Sequence, residues 1–307
     1  MKQQTKCEKE ECECVIQLVD PFPMHMLKIE KIVQENSNVI SFYFKHRLNS
    51  KPGQFVMILL PGYGEKPMSI AQDYGEGFSL AIAAVGKTTN AICSAKVGEH
   101  VGIRGPLGTW FNLPDYRDNE NNKNKENERE DKNIYKNYSI ALIGGGYGAG
   151  PMASLAELAI KIGFDPKNIH YIIGARTKDL LLFHKRLDNL GVNIHVTTDD
   201  GSYGIRGKVT DALNNVVKKQ KIDKIYTVGP ELMMKAVYGI AVREDIDCEI
   251  SLERYIKCGI GICGSCVVDP TGERMCIEGP IIGKKKIEQI TEFGKYHRDA
   301  SGNKISY

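Results

Sequence analysis

No apolar run in this sequence reaches the roughly 18 residues of a membrane-spanning helix. The opening segment, MKQQTKCEKEECEC, lacks the apolar core of a secretory signal, so a cytoplasmic protein is expected. Neither sign of charge dominates. Forty-one Lys and Arg against 38 Asp and Glu leave a formal charge of +3, which argues against nucleic acid or an anionic membrane as the main partner. No internal repeat is visible. What remains is a 307-residue chain with 42% hydrophobic and 26% charged residues, the profile of a globular protein of two or three domains.

Nine cysteines in a chain without a secretion signal point to metal or redox chemistry, because cytosolic thiols are kept reduced. Cys258, Cys263, Cys266 and Cys276 stand as C-x4-C-x2-C-x9-C in KCGIGICGSCVVDPTGERMC. Four thiolates complete the coordination of the two irons in a 2Fe-2S cluster, and C-x4-C-x2-C with a later Cys is the plant-type ferredoxin spacing. Gly259, Gly261 and Gly264 fit a loop that brings backbone N–H groups close to sulfur. The alternative is structural zinc, which usually draws its ligands from two close pairs; here only Cys263 and Cys266 make one. Cys7, Cys12 and Cys14 lie in an acidic tail without a fourth ligand and read as free thiols, while Cys93 and Cys248 read as small buried hydrophobes.

The chain divides by pattern. Residues 1–23 form a polar, cysteine-bearing tail ending in Asp20-Pro21-Phe22-Pro23. Over 24–114, short β-forming runs (VISFYF, QFVMILL, FSLAIAAV, HVGIRG) alternate with Gly- and Pro-rich turns, which predicts a small antiparallel barrel or sandwich. Residues 115–137 carry thirteen charged residues and seven Asn with almost nothing to bury, so a mobile insertion is expected. From 138 to 247 strands alternate with helical patterns: SIALIG, a helix from Pro151, IHYIIGA, the helical stretch DLLLFHKRL, VNIHVTT, a helix near 208–219, KIYTVG and a helix from Glu231. That alternation predicts a parallel α/β sheet. Residues 248–307 hold the cysteine cluster and a Lys-rich polar tail.

Lys66-Pro67-Met68-Ser69, then Gly86, Thr88 and Thr89 after the strand FSLAIAAV, offer a cation, hydroxyls and glycine-adjacent N–H groups suited to a diphosphate. An ordinary turn lysine and a loop before a helix explain the same residues. Gly144, Gly146, Gly148 and Pro151 mark a strand-to-helix turn of the kind that approaches a nucleotide phosphate closely, and Arg176 ends the second strand of the predicted sheet. Gly229-Pro230-Glu231-Leu232-Met233 forms a third turn.

Barrel, glycine turn and Gly-Pro-x-x-Met turn in this order resemble the ferredoxin-NADP reductase superfamily, whose barrel binds a flavin through Arg-x-x-Ser. Here Lys66 stands at the Arg, which keeps the charge and loses the planar fork. Ser251-Leu252-Glu253-Arg254-Tyr255-Ile256-Lys257-Cys258-Gly259, with Cys-Gly-Ser-Cys and Cys-Ile-Glu-Gly-Pro behind it, resembles the electron-transfer subunits of type B dihydroorotate dehydrogenase over about 24–283. The resemblance implies an antiparallel FAD-binding barrel, a Rossmann-like NAD-binding α/β domain and a small C-terminal 2Fe-2S domain. Lys66 to Ser69 with Ala83, Val85, Gly86, Thr88 and Thr89 would hold FAD, Ser69 near the reactive flavin N5. Gly144, Gly146, Gly148, Pro151, Arg176, Gly229, Pro230 and Met233 would line the NAD site. It also implies an FMN-containing catalytic partner that oxidises dihydroorotate in pyrimidine biosynthesis, in a heterotetramer, with electrons crossing the cluster singly and leaving FAD as hydride to NAD+. No side chain is expected to act as acid or base, since the cofactors carry the chemistry. A diaphorase subunit of a hydrogenase or ferredoxin-dependent NADP complex uses the same three domains, and a cofactor-free regulatory protein on a reductase scaffold is the reading from a different class.

Overall fold

The β-forming runs become strands β1 (His25–Gln34), β2 (Val39–Phe44), β3 (Phe55–Leu60), β4 (Gly64–Asp73), β5 (Phe78–Ala83) and β6 (His100–Leu107) in a computed structural model that describes residues 22–114 and 135–307. They close an antiparallel barrel in the order β1-β2-β5-β4-β3-β6, with helix α1 (Lys87–Cys93) following β5. The tail bearing Cys7, Cys12 and Cys14, and nearly all of the charged insertion, lie outside the described residues.

QFVMILL reads as an unbroken apolar run rather than an alternation, and the packing explains why. Val56 and Ile58 fill the barrel together with Phe42, Phe44, Phe78 and Leu80. Phe55 and Met57, on the opposite face of β3, enter a second core with Ala141, Ile143, Cys266, Met275 and Cys276. A strand buried on both faces has no polar positions to alternate.

That second core lies against a seven-stranded sheet of β7 (Ile140–Gly145), β8 (Ile169–Ala175), β9 (Asn193–Thr198), β10 (Ile205–Arg206), β11 (Lys224–Val228), β12 (Asp247–Ser251) and β13 (Ile281–Gly283), in the order β10-β9-β8-β7-β11-β12-β13. The first six strands run parallel and β13 pairs antiparallel with β12. Helices α2 (Ala149–Ile162), α3 (Val209–Lys219) and α4 (Glu231–Arg243) cover its faces. Chain order reverses at β7, which lies between β8 and β11, and open α/β sheets bind ligands at such a switch point. Among the described residues no helix is long and apolar enough to cross a membrane.

Three details differ from the sequence reading. DLLLFHKRL is not an α-helix: it holds a 3-10 turn at Lys178–Leu180 and then irregular turns, with Phe183 at φ 53°. Leu181 and Leu182 are both buried and Phe183 follows half-buried, so the chain turns to bury three consecutive side chains. The sheet runs past residue 247, because β12 and β13 both belong to it. The Lys-rich tail forms helix α5 (Lys284–Ile287) and a hairpin of β14 (Tyr296–Arg298) and β15 (Lys304–Ser306).

Arg186, in that irregular stretch, ties the barrel to the sheet. It makes a bidentate pair with Glu157 of α2 at 2.8 and 2.7 Å and donates to the Ala71 carbonyl of β4 at 2.8 Å, where the Ser154 hydroxyl also donates. At the opposite end of the sheet from the switch point, His170 Nδ1 lies 3.2 Å from His195 Nε2, and Gln220 contacts its other nitrogen. Burial, reinforced by His195, pushes the His170 imidazole down to about 4 from 6.5. Below about pH 6.5 the unfolded chain takes up a proton here that the folded chain refuses until about pH 4, so stability falls with pH by up to about 1.4 kcal/mol per unit in that window. His170→Gln is expected to flatten that slope in denaturant unfolding curves at about pH 7 and pH 5. Equal slopes in the two proteins would clear the histidine.

Candidate functional site

The cysteine loop is built on left-handed glycines. Gly259, Gly261 and Gly264 have φ of 72°, 76° and 70°, a region closed to most side chains, and the turns they make present the cysteines. The Gly261 N–H donates to Cys276 Sγ at 3.3 Å. Cys263 is exposed, Cys258 half-buried, and Cys266 and Cys276 are buried. Hydrogen bonds couple Cys263 with Cys258 and Cys266 with Cys276. Among the described residues no three His, Cys, Asp or Glu side chains converge on one metal position. A two-iron cluster takes two thiolates at each iron, and the two hydrogen-bonded cysteine pairs match that requirement.

Two of the four thiols are drawn toward the thiolate. The Ser265 hydroxyl, donating to Cys263, draws its pKa down to about 7, and a hydrogen bond from Cys276 draws Cys266 down to about 6 while raising Cys276 itself. The thiolate is the form that binds metal. Cys248, by contrast, is fully buried in β12 and its thiol is pushed up by burial, while Cys93 is half-buried.

This loop rests on the barrel strand opposite the Lys66 motif. A Cβ at Gly259 would lie 3.0 Å from Met57 and 3.1 Å from Leu107, so the backbone itself packs on β3 and β6. Met57 pairs across the ladder with Pro67, and Phe55 with Ser69, which sets Pro67 and Ser69 on the same outer face. Lys66 and Met68 pair with Ile58 and Val56 on the barrel side. The Lys66 ammonium lies 5.5 Å from the centre of the Tyr255 ring, three residues before Cys258.

Ala83 and the helix entry at Val85, Gly86, Thr88 and Thr89 are placed differently from one another. Thr88 donates to the Tyr63 carbonyl at 2.8 Å, and Thr89 Oγ1 accepts from the Gly86 and Val85 N–H groups at 2.9 and 3.1 Å, so both hydroxyls serve the turn. Val85 is 80% exposed beside Gly86, whose Cβ position is open, and Ala83 is half-buried at the end of β5. An exposed apolar side chain next to open backbone, just past the strand that adjoins the one carrying exposed Ser69, suits a flat aromatic ligand such as a flavin.

At the switch point a cleft of about 420 Å³ opens. Gly146, Arg176, Pro230 and Met233 line it. Gly144, Gly148 and Pro151 are buried behind it. A Cβ at Gly148 would meet the Val228 carbonyl at 2.1 Å, so that glycine lets the turn cross β11 rather than reach a ligand. Gly229, at φ 152°, packs on Gly145 and Met233. Sequence reasoning missed Tyr147, Asp199, Lys208 and the barrel's Asn36 and Asn38, which also line the cleft. Single polar residues at strand ends carry no motif. The one available signal was position, since Asp199 directly follows β9 at the carboxyl edge of the parallel sheet.

Comparison with known proteins gives this arrangement its family. Residues 253–288 match the model of the iron-sulfur cluster binding domain of dihydroorotate dehydrogenase B, and residues 142–238 match the oxidoreductase NAD-binding domain. A protein of Methanocaldococcus jannaschii named as a probable dihydroorotate dehydrogenase B (NAD(+)), electron transfer subunit is 39% identical over 280 residues, covering 91% of this chain and 97% of that protein. The chain belongs to the dihydroorotate dehydrogenase B electron transfer subunits. Another member of the family, from Pyrococcus furiosus, is 36% identical over 91% of this chain and 98% of its own. A solved structure of an NADH-dependent reduced ferredoxin-NADP oxidoreductase, studied for flavin-based electron bifurcation, superposes with a TM-score of 0.70 at 28% identity, covering 87% of this chain and 90% of that one. An Amycolatopsis cytochrome P450 reductase, at 21% identity and a TM-score of 0.58 over 73% of this chain and 67% of its own, shares the fold. Every unit of the family's three-part layout therefore has its counterpart here.

Proposed function

We propose that this chain carries electrons from dihydroorotate oxidation, performed on the FMN of a partner catalytic subunit, to NAD+ in pyrimidine biosynthesis. A 2Fe-2S cluster is held by Cys258, Cys263, Cys266 and Cys276, and FAD lies on the barrel against Lys66, Pro67, Met68 and Ser69, beside Ala83, Val85 and Gly86. When bound, a flavin exchanges hydride with a nicotinamide and single electrons with an iron-sulfur cluster, which is the conversion this pathway needs. The chain's own residues set the arrangement. Pro67 and Ser69 face outward next to Met57, on which Gly259 of the cysteine loop packs. Gly146, Arg176, Pro230 and Met233 offer NAD+ the cleft, with Arg176 and Lys208 as cations for its diphosphate and Asp199 as acceptor for a ribose hydroxyl.

The observation that carries this reading is the contact of the paired-cysteine loop with the strand opposite the flavin motif, in a chain 39% identical to its named relative. Residues 24–114 serve as the FAD unit, 138–251 with β13 as the NAD unit, and the rest of 252–307 as the cluster unit. Residence in the cytoplasm and a heterotetramer with two copies of each subunit complete the proposal. A second reading, a subunit of a ferredoxin-NADP oxidoreductase complex, draws on the 28% likeness to the bifurcating enzyme. The two part at the electron donor. The test is dihydroorotate-dependent NAD+ reduction by the anaerobically assembled complex with its FMN subunit. Orotate and NADH in equal amounts, formed by neither subunit alone, are expected; reduction of NAD+ from ferredoxin but never from dihydroorotate would favour the second reading.

A further inference from the structure

We infer that Arg104 is a positioning residue for the cluster, and that with Glu65 it forms a charge pair that sets the cluster's reduction potential. This rests on the cofactor reading above. Arg104 stands on β6 opposite Met57, which in turn stands opposite Pro67, so the three lie abreast across β6, β3 and β4 on the face that meets the cysteine loop. Its Nη2 donates to the Cys258 carbonyl at 2.9 Å and to both oxygens of Glu65 at 3.2 and 3.0 Å. Both side chains are largely enclosed, at 12% and 23% exposure. Glu65 directly precedes Lys66, so one guanidinium joins the flavin-side strand to the first cysteine of the loop.

The geometry is more than a tether. A guanidinium bonded to the backbone of a ligand cysteine puts a positive charge beside a group that becomes more negative on reduction. In a partly buried site the attraction is weakly screened, with an effective dielectric nearer about 20 than that of water. Glu65 offsets part of that charge. Removing the cation therefore favours the oxidised cluster, and removing the carboxylate favours the reduced one. Lone charged residues on barrel strands ordinarily face solvent, and nothing in the spacing of Arg104 or Glu65 relates them to Cys258, which lies 154 residues beyond Arg104.

The test is a redox titration of the full-length protein, loaded with FAD and cluster, followed by the electron paramagnetic resonance of the reduced cluster. Arg104→Met is expected to lower the midpoint potential by about the equivalent of a tenfold change in the reduction equilibrium, ~59 mV for one electron, and Glu65→Gln to raise it. Arg104→Lys, which restores the charge, returns the potential toward wild type. Reduction of FAD by NADH keeps its rate in all three. Shifts of the same sign in Arg104→Met and Glu65→Gln, or none, overturn the inference while leaving the cofactor reading in place. Should Arg104→Met fail to retain iron, Glu65→Gln decides: a raised potential upholds the inference and an unmoved one overturns it. A wild-type protein that forms no paramagnetic cluster on reduction overturns both.

Discussion

Cys263→Ser, loaded with FAD and assembled with the catalytic subunit, loses NAD+ reduction from dihydroorotate by about 100-fold or more, a barrier increase of about 2.7 kcal/mol, while NADH still reduces its flavin and an artificial acceptor at the wild-type rate. The reason is geometric. Cys263 is exposed on a loop turned by left-handed glycines, so an oxygen in place of its sulfur disturbs no packing. What it removes is half of one thiolate pair, and with it the hydrogen-bonded arrangement that draws Cys263 down to about 7. The nicotinamide cleft is lined by the β1–β2 turn of the barrel and by residues from β7 to α4, and none of its lining residues belongs to the loop. Stopped-flow flavin absorbance separates the two half-reactions. Loss of both in a folded protein would mean that the cluster organises the flavin site rather than conducting to it.

Arg254→Met is expected to cost about 3–5 kcal/mol of stability. At ~2–4 °C per kcal/mol for a domain of this size, that is a thermal midpoint about 10 °C lower. Arg254 is 2% exposed and lies between Glu231 (4%) and Glu292 (0%), with Nη1 2.6 Å from one carboxylate and Nε 2.5 Å from the other. Burial alone would weaken its charge, and the hydrogen bonds and charges of the two glutamates hold its pKa above the ordinary value. Two carboxylates left without their cation keep, among the described residues, the Gly294 and Asp269 N–H groups and the Tyr307 hydroxyl. The damage extends beyond stability, because Glu231 opens α4 next to Pro230 of the cleft and Arg254 stands four residues before Cys258. Iron content and NAD+ affinity should fall together. A midpoint within about 2 °C of wild type would show that the two acids take up protons at little cost, contrary to the usual penalty of a broken buried pair.

What could be read from the sequence was what is written in local spacing. The four cysteines, the glycines between them and the strand-turn-helix at Gly144 to Pro151 carry their meaning within a few residues, and the barrel followed from short apolar runs between turns. Contacts between distant parts of the chain were out of reach. Arg104 reaches Cys258 and Arg186 reaches Ala71, and in sequence each is one more basic residue. DLLLFHKRL misled because apolar content alone does not tell a helical stripe from three side chains buried in succession. The partners of Thr88 and Thr89 were equally out of reach, since their hydroxyls bond the Tyr63 carbonyl and the helix entry.

The return of the chain at β13 has a consequence for heredity and for engineering. Its three residues come from beyond the cysteines yet complete the ladder of β12 by pairing Ile281, Ile282 and Gly283 with Ser251, Ile250 and Glu249. Truncation after β12 would therefore strip the nucleotide unit of its flanking strand and leave an open edge, the usual seed of self-association. Cluster and nucleotide halves cannot be shuffled as beads on a string. Swapping the conducting module between enzymes of this kind requires a splice inside the barrel-to-sheet connection, upstream of residue 138, so that everything from there to Gly283 is transplanted as one piece.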